Sequence, residues 1–344
     1  MKYVWGVLAL IILVISVITL NPEWITLPGG ENLALAMPFA QLWAMRGVLA
    51  IGFGVLGFIV LVIAIVRAGL LRRGIITGVL AVGLLAVGAG HYFTLNSRGL
   101  SDADSLTVDR GITRVNEGDG SIGILSMNTQ GGETAMSDLI PYVKDNGIDV
   151  IVLVETSHAD ATELAAGLEA EQMGFTVFSS DTPAERPDIE STAVLISRQM
   201  GEYTQREALD LRWGSVRVQS ATGQFPTIMA VHPVAPYEDM KVAWQEEITV
   251  AYAQCDALEN YILAGDFNST LDHMQAVGGN CTSALGDTGG VGTWPTRTAP
   301  ILGSPIDGIF VDDVEWRSTS SAVFQVGDSD HRGVMARIEP VQGS

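Results

Sequence analysis

Three runs of almost purely apolar residues fall within the first 96 positions, and they constrain the fold more than anything that follows. They extend from about Tyr3 to Leu20, Gly47 to Val66 and Gly74 to His91, the last continuing to about Leu95. A bilayer core takes roughly 20 consecutive apolar residues. One such run could be the core helix of a soluble fold, but three in succession predict transmembrane helices (about 3–20, 47–66 and 74–95). Residues 1–96 therefore read as a membrane anchor. The first run could also serve as a signal peptide, but Leu20-Asn21-Pro22 offers no small-x-small cleavage site, which favours an uncleaved helix. The chain is 47% hydrophobic and 17% charged, and segregation reconciles the two. The first hundred residues hold six basic and two acidic side chains, leaving thirteen basic and thirty-seven acidic for the rest.

Orientation follows from the basic residues. Lys2 precedes the first run, and Arg67, Arg72 and Arg73 fall between the second and third. Short loops rich in Lys and Arg stay in the cytoplasm. The N-terminus and second loop are then inside, and the first loop, residues 21–46, is outside with Arg46 as its one discordant charge. Three crossings put everything after about Ser97 on the extracytoplasmic side. His91, beside Tyr92 and Phe93, is expected in an interfacial aromatic belt. The runs carry no acid or base pair that would suggest transport.

Residues 97–120 are polar and aperiodic and read as a linker to a domain over 121–344. That domain alternates apolar runs with amphipathic stretches, the pattern of an α/β fold. Strands are expected at 121–128, 148–155, 191–198, 215–220, 225–231, 261–264 and 307–311, with a last one after His331. Helices are expected at 134–146, 157–173 and 238–260. In the last of these, Trp244, Ile248, Tyr252, Cys255 and Leu258 share one face. Several strands start or end beside one polar residue: Asn128, Glu155, His232, Asp266, Asp307 or His331. A single such residue is usually a strand-end cap. Six of types that bind metal and phosphate predict a shared site at the edge of a rigid sheet. Gly265-Asp266-Phe267-Asn268 is the densest stretch, and alternation places Asp266 and Asn268 on one side of a strand end. Taken alone, it could equally be an Asx turn.

The ordered set Asn128, Glu155, His232, Gly265-Asp266-Phe267-Asn268, Ile306-Asp307 and Ser329-Asp330-His331 resembles the endonuclease/exonuclease/phosphatase (DNase I-like) superfamily over roughly 122–338. Trp244 and Thr293-Trp294-Pro295 look like its membrane-anchored bacterial branch. The resemblance implies a four-layer α/β sandwich, here preceded by three transmembrane helices. It also implies a role for each matched residue. Glu155 would be the main metal ligand, with Asn128 beside it and Asp330 contributing. Asp266 would orient or deprotonate the attacking water, or protonate the leaving oxygen. Asn268 and His232 would donate to phosphoryl oxygens. His331, its ring held by Asp307, would stabilise the transition state. Mg²⁺ fits an oxygen-rich set, with Mn²⁺ as substitute, since no Cys/His cluster points to zinc. Met127 and Gly308 depart from the family pattern, and His158 reads as a surface residue at a helix start. Arg186, Arg198, Arg212 and Arg217 are candidate substrate contacts.

Cys255 and Cys281 are the only cysteines. A disulfide is favoured, with a buried thiol at Cys255 as the alternative. The expected function is a membrane-anchored, outward-facing phosphoester hydrolase. Its partners would be the lipid bilayer and a phosphoester substrate, either lipid-linked, a small phosphodiester or nucleic acid. The acidic balance weighs against nucleic acid, which is usually held by Lys and Arg. The alternative is a non-catalytic membrane-anchored binding or scaffolding module that keeps the fold, and it predicts the loss of a key group. A transporter is disfavoured by the charge-free runs.

Overall fold

The computed structural model describes residues 2–71, 74–107, 120–180 and 188–341. The chain divides into two compact units, Met1–Ser97 and Arg98–Ser344. In the first unit, helices α1 (Lys2–Ile18), α2 (Phe39–Ala44), α3 (Arg46–Leu71) and α4 (Ile75–Ser97) follow in order. Two of them, over Arg46–Leu70 and Ile75–Ser97, are long and apolar enough to cross a membrane, with mean hydropathies of 3.0 and 1.8. The expected first span falls short of that length. α1 has 17 residues, about 26 Å at 1.5 Å per residue, and it gives way to a turn at Thr19 and Leu20. Asn21-Pro22 stops it, because the residue before a proline is pushed out of the helical region.

Two further expectations for this unit are corrected. His91 is not an interfacial ring but is fully buried. It accepts or shares hydrogen bonds with Thr19 Oγ1 (2.9 Å) and Arg46 (3.0 Å) and stacks on Phe53. Arg46 is not a stray loop charge. It opens α3, is 3% exposed, and donates to the Leu20 carbonyl. A buried polar or charged group is tolerated when it is hydrogen-bonded, and Arg46 finds acceptors in the His91 ring and the Leu20 carbonyl.

The second unit contains two sheets. One has the strand order β11-β12-β1-β2-β4-β3, the other β5-β6-β7-β8-β10-β9. The first sheet is built from β1 (Ile122–Asn128), β2 (Val150–Val154), β3 (Phe175–Ser179), β4 (Thr192–Ser197), β11 (Trp316–Phe324) and β12 (Gly333–Pro340). The second is built from β5 (Tyr203–Arg206), β6 (Ser215–Ser220), β7 (Thr227–Val231), β8 (Tyr261–Asp266), β9 (Thr282–Ser283) and β10 (Asp307–Val311). Alternate residues of their central strands, such as Ile124, Val152 and Val194 against Val216, Ile228 and Ile262, form one core between the sheets. The intervening residues of the first sheet (Leu125, Ile151, Leu153) pack under α5 (Met136–Asp145) and α6 (His158–Ala170). On the second sheet Phe310 meets Tyr252 of α7 (Lys241–Tyr252) edge-on. The result is helix, sheet, sheet, helix. Central strands buried on both faces explain why their sequences read as nearly continuous apolar runs.

The helix expected over 238–260 is shorter than that. α7 ends at Tyr252, a single turn α8 (Gln254–Ala257) follows, and Leu258 is extended. Trp244, Ile248 and Tyr252 are buried as expected, but the apolar face ends with them. Cys255 leaves that face to form a disulfide with Cys281, the Cα atoms 5.3 Å apart. Residues 98–107, expected as linker, are instead laid into this unit. Leu106 joins the core under α5, and Ala103 accepts from Val323 N beside β11. The rest of the expected linker, 108–119, lies outside the described residues.

Candidate active site

Each sheet contains one parallel strand pair, β1–β2 in the first and β7–β8 in the second. The C-terminal ends of these four strands carry the polar residues. Asn128 closes β1, Glu155 follows β2, His232 follows β7, and Asp266 closes β8. Asp307 opens β10 and lies in register opposite Asp266. His331 sits two residues before β12. In open α/β sheets, ligand sites form outside the carboxyl ends of parallel strands.

These side chains meet. The Asn128 amide donates to Glu155 Oε1 (2.9 Å) and to Asp266 Oδ2 (3.1 Å). His232 Nε2 is 3.8 Å from both of those carboxylates. His331 Nδ1 bonds Asp307 Oδ2 at 3.0 Å, and its Nε2 lies 3.6 Å from Asp266 Oδ2. Asp330 is at the rim: its carboxylate is 42% exposed, 3.9 Å from His331 Nε2, and accepts from Trp294 Nε1. Asn268 is placed differently from expectation. β8 ends at Asp266, so strand alternation does not extend to it. Its backbone is left-handed (φ 47°), and its amide donates to the Pro233 carbonyl, leaving one amide hydrogen for another acceptor. Its N–H in turn donates to Asp266 Oδ1 at 2.8 Å.

Glu155 also has a left-handed backbone, with φ 50°. Such a conformation in a non-glycine residue costs of order 1–3 kcal/mol and must be held by its surroundings. Here the Glu155 carbonyl accepts from Thr129 Oγ1 (2.8 Å) and Gly131 N (3.1 Å). The strained turn aims the carboxylate at Asn128.

The electrostatics follow from burial and crowding. Burial, then the neighbouring Asp307 carboxylate, raises Asp266 to about 7. Burial raises Glu155 too, against the Asn128 hydrogen bond. For His331, burial alone would push the ring down, but Asp307 and Asp266 outweigh it and lift the ring to about 10. His232 is lowered to about 3 by burial and by His331. The site thus holds a charged imidazole and a neutral one.

The sequence profile of the Endonuclease/Exonuclease/phosphatase family matches residues 125–331. The chain belongs to that family. Family members are metal-dependent phosphoester hydrolases. No curated protein matches the chain in sequence. Among solved structures it is similar to a humanized D. rerio TDP2 (17% identity, 64% of this chain and 99% of that chain, TM-score 0.49). It is also similar to an AP endonuclease from Archaeoglobus fulgidus (15%, 62% and 98%, TM-score 0.47) and to the human Nocturnin catalytic domain with bound sulfate (14%, 64% and 95%, TM-score 0.45).

The family's dependence on a divalent ion can be tested against these residues. Asp266, Asp307 and His331 offer ligand atoms within 4.8 Å of one another, but Asp307 Oδ2 and His331 Nδ1 are already engaged with each other at 3.0 Å. Glu155 is better suited. Its side chain is 17% exposed and crowded by acidic neighbours, and among the described residues both ring nitrogens of His232 beside it are buried without a hydrogen bond. An oxygen-rich, acid-crowded pocket suits a hard cation, so the residues fit the group.

Other residues shape the site. Ser329 Oγ donates to the Asn128 carbonyl and accepts from His331 N, tying the end of β1 to the loop that enters β12 beside it. Thr293 Oγ1 accepts from Ile306 N and Asp307 N. Both belong to motifs visible in the sequence. Gln130, which accepts from Asp330 N, and Trp213, packed against His232, carried no signal. Met127 faces the α5/α6 core, away from the site. Gly308 has a steric reason: a Cβ there would meet the rings of Phe310 and Phe267. His158 is exposed, as expected, and bonds Ser179. Arg198 pairs with Glu169, and Arg212 contacts Met240. Arg186 lies outside the described residues.

Proposed function

We propose that this chain is a membrane-anchored, outward-facing, metal-dependent phosphoester hydrolase of the membrane-attached branch of its family. The observation that carries the reading is the meeting of Asn128, Glu155 and His331 from the first sheet with His232, Asp266 and Asp307 from the second, His331 and Asp307 pairing across the two. Glu155, with Asn128 beside it and Asp330 at the rim, would hold a divalent cation, Mg²⁺ or in its place Mn²⁺, which supplies charge neutralisation of the phosphoryl group when bound.

The remaining chemistry belongs to the side chains. Asp266, near 7, can exist in either protonation state at neutral pH, which is where a general acid or base works best. It takes a proton from water as the water oxygen bonds phosphorus and the bond to the leaving oxygen breaks. His331, protonated and held at Nδ1 by Asp307, presents its Nε2–H to a phosphoryl oxygen as negative charge develops. His232, neutral, donates from one ring nitrogen, and Asn268 supplies its second amide hydrogen. Preorganised donors aimed at developing charge are usually the largest contribution to such reactions.

Anchoring is supported by the composition of α3 and α4. The outward orientation is supported by the basic residues between the apolar runs and by a disulfide, which persists in oxidising compartments. On this reading a lipid-linked or small phosphodiester is the favoured substrate over nucleic acid.

The test is hydrolysis of bis(p-nitrophenyl) phosphate by the full chain in detergent, with Mg²⁺, Mn²⁺ or EDTA, beside an Asp266→Ala/His331→Ala double variant. Turnover that requires metal and falls by orders of magnitude in the variant is expected. Equal rates for folded wild type and variant would hand the case to the non-catalytic binding module.

A further inference from the structure

Within the second unit, Arg98 donates two hydrogen bonds to Asp272, at 2.9 Å from one guanidinium nitrogen and 2.7 Å from the other. Asp272 is completely buried, and the Arg98 side chain is 12% exposed. This fork-to-fork geometry fixes direction as well as distance. Asp272 is the second residue of α9 (Leu271–Ala276), whose N-cap is Thr270. The residues before it form the Asp266-to-Thr270 turn of the site.

The turn from Asp266 to Asp272 is tied at Asp266, Asn268, Ser269, Thr270 and Asp272. Asp266 Oδ1 accepts from Asn268 N. The Asn268 carbonyl accepts from Trp244 Nε1. Ser269 meets the Tyr252 hydroxyl. Thr270 Oγ1 accepts from Asp272 N, and Thr270 N donates to His273 Nδ1. Arg98 closes this series from outside the turn.

The backbone around Arg98 is itself fixed. Gly99 has φ +94° and sits against the Gly286 and Asp287 backbone, where a Cβ has no room. Its carbonyl accepts from Gly290 N, and Ser101 N donates to the Asp287 carbonyl. The guanidinium is therefore delivered from a backbone held in place on both sides.

We propose that Arg98 is a positioning residue for the hydrolase site: by gripping Asp272 it sets α9, and through α9 the placement of Asp266 and Asn268. The proposal rests on the hydrolase reading, and it makes residue 98 part of the enzyme although the sequence reads there as linker.

The test compares wild type, Arg98→Gln and Arg98→Lys as full chains in detergent. Three quantities are measured: kcat and KM on bis(p-nitrophenyl) phosphate, the melting temperature, and the ¹⁵N resonance of the Trp244 indole, which reports on the Asn268 carbonyl. Misplacement of a reacting group by about 1 Å costs roughly 100-fold in rate. Arg98→Gln is accordingly expected to lower kcat by roughly 10–100-fold, leave KM within about 2-fold, and shift the Trp244 indole. Arg98→Lys, which keeps the charge but not the fork, should fall between Gln and wild type. Unchanged kcat per folded molecule with an unmoved indole would overturn the proposal and leave the pair as a structural tie. If Arg98→Gln does not fold, Arg98→Lys carries the same decision. If wild type shows no turnover, the hydrolase reading fails, and the indole shift alone then decides whether Arg98 sets the turn.

Discussion

The two sheets of the second unit are built alike at their centres and have different electrostatic environments at their ends. Each has one parallel pair flanked by antiparallel strands, and each ends that pair in two polar residues. The first sheet ends in Asn128 and Glu155, whose carboxylate touches solvent. The second ends in His232 and Asp266, both essentially without solvent contact, with Asp307 packed against Asp266 across β8–β10. Geometry is shared, so burial makes the difference. A carboxylate at a solvent-touched rim can face a hydrated cation, whereas one buried beside a second acid is pushed toward neutral pH and can exchange protons. In the proposed function the parallel pair of the first sheet holds charge and that of the second handles protons.

That division can be broken most decisively at Asp266. Asp266→Asn keeps the shape and removes the base, so kcat should fall by roughly 10²–10⁴-fold, the usual worth of a positioned acid or base. Metal affinity, read by isothermal calorimetry with Mg²⁺ or Mn²⁺, should change far less. A variant that loses metal binding and activity together would merge the two halves.

The converse test is Asn128→Ala. Removing the partner that orients a metal-binding carboxylate typically costs about 10–100-fold in metal affinity. The expected result is a raised Mg²⁺ requirement, with kcat recovered largely at saturating metal. Loss of kcat that no metal concentration restores would place Asn128 with the proton-handling half instead.

The metal-free protein offers a pH test of the second sheet's acids through His331, which reaches them from the loop before β12 of the first sheet. His331 is raised from about 6.5 to about 10, so the folded chain holds its proton more tightly than the unfolded chain does. A raised pKa gives stability that is complete below 6.5 and is lost as pH climbs to 10. One such group sets a slope of about 1.4 kcal/mol per pH unit at most. Asp266, raised to about 7, has the same sign in the lower window of 3.8 to 7, so the interval from 7.5 to 10 isolates His331. Urea titrations in EDTA should show stability falling across that interval in wild type and a flatter profile in His331→Gln.

The same contrast explains what could be read from the sequence. The strands anticipated from apolar runs were β1, β2, β4, β6, β7, β8, β10 and β12, which are interior in their sheets. Those with no signal, β3, β5, β9 and β11, are the four sheet edges. Edge strands are often blunted by polar residues or by being short, so that they do not recruit another chain. β5 is Tyr-Thr-Gln-Arg and β9 is only Thr-Ser, while β11 begins Trp-Arg-Ser-Thr-Ser-Ser. The six strand-end residues of the site were legible because each follows or precedes an interior run. Trp213, Gln130 and Arg98 were not, because they reach the site through packing, a loop and a long-range ion pair, none of which leaves a local pattern. His91 and Arg46 were misread for the same reason, since each was judged against its sequence neighbours rather than against the other.

The smallest effect expected lies behind the second sheet's acids, at Gly308. Its neighbour Asp307 carries the His331 contact, and a Cβ at 308 would press on the rings of Phe310 and Phe267. Those rings meet each other edge-on, and Phe267 is stacked on Tyr252, so they cannot both withdraw without disturbing α7. Overpacking of this kind costs typically about 1–3 kcal/mol. Gly308→Ala should therefore lower stability by that amount in denaturant titration. It should also cost activity, because Phe267 lies between Asp266 and Asn268 in the chain and moves both. An alanine tolerated in both respects would mean that the aromatic stack yields easily, and that Asp266 is held by its hydrogen bonds to Asn268 N and Asn128 rather than by the packing behind it.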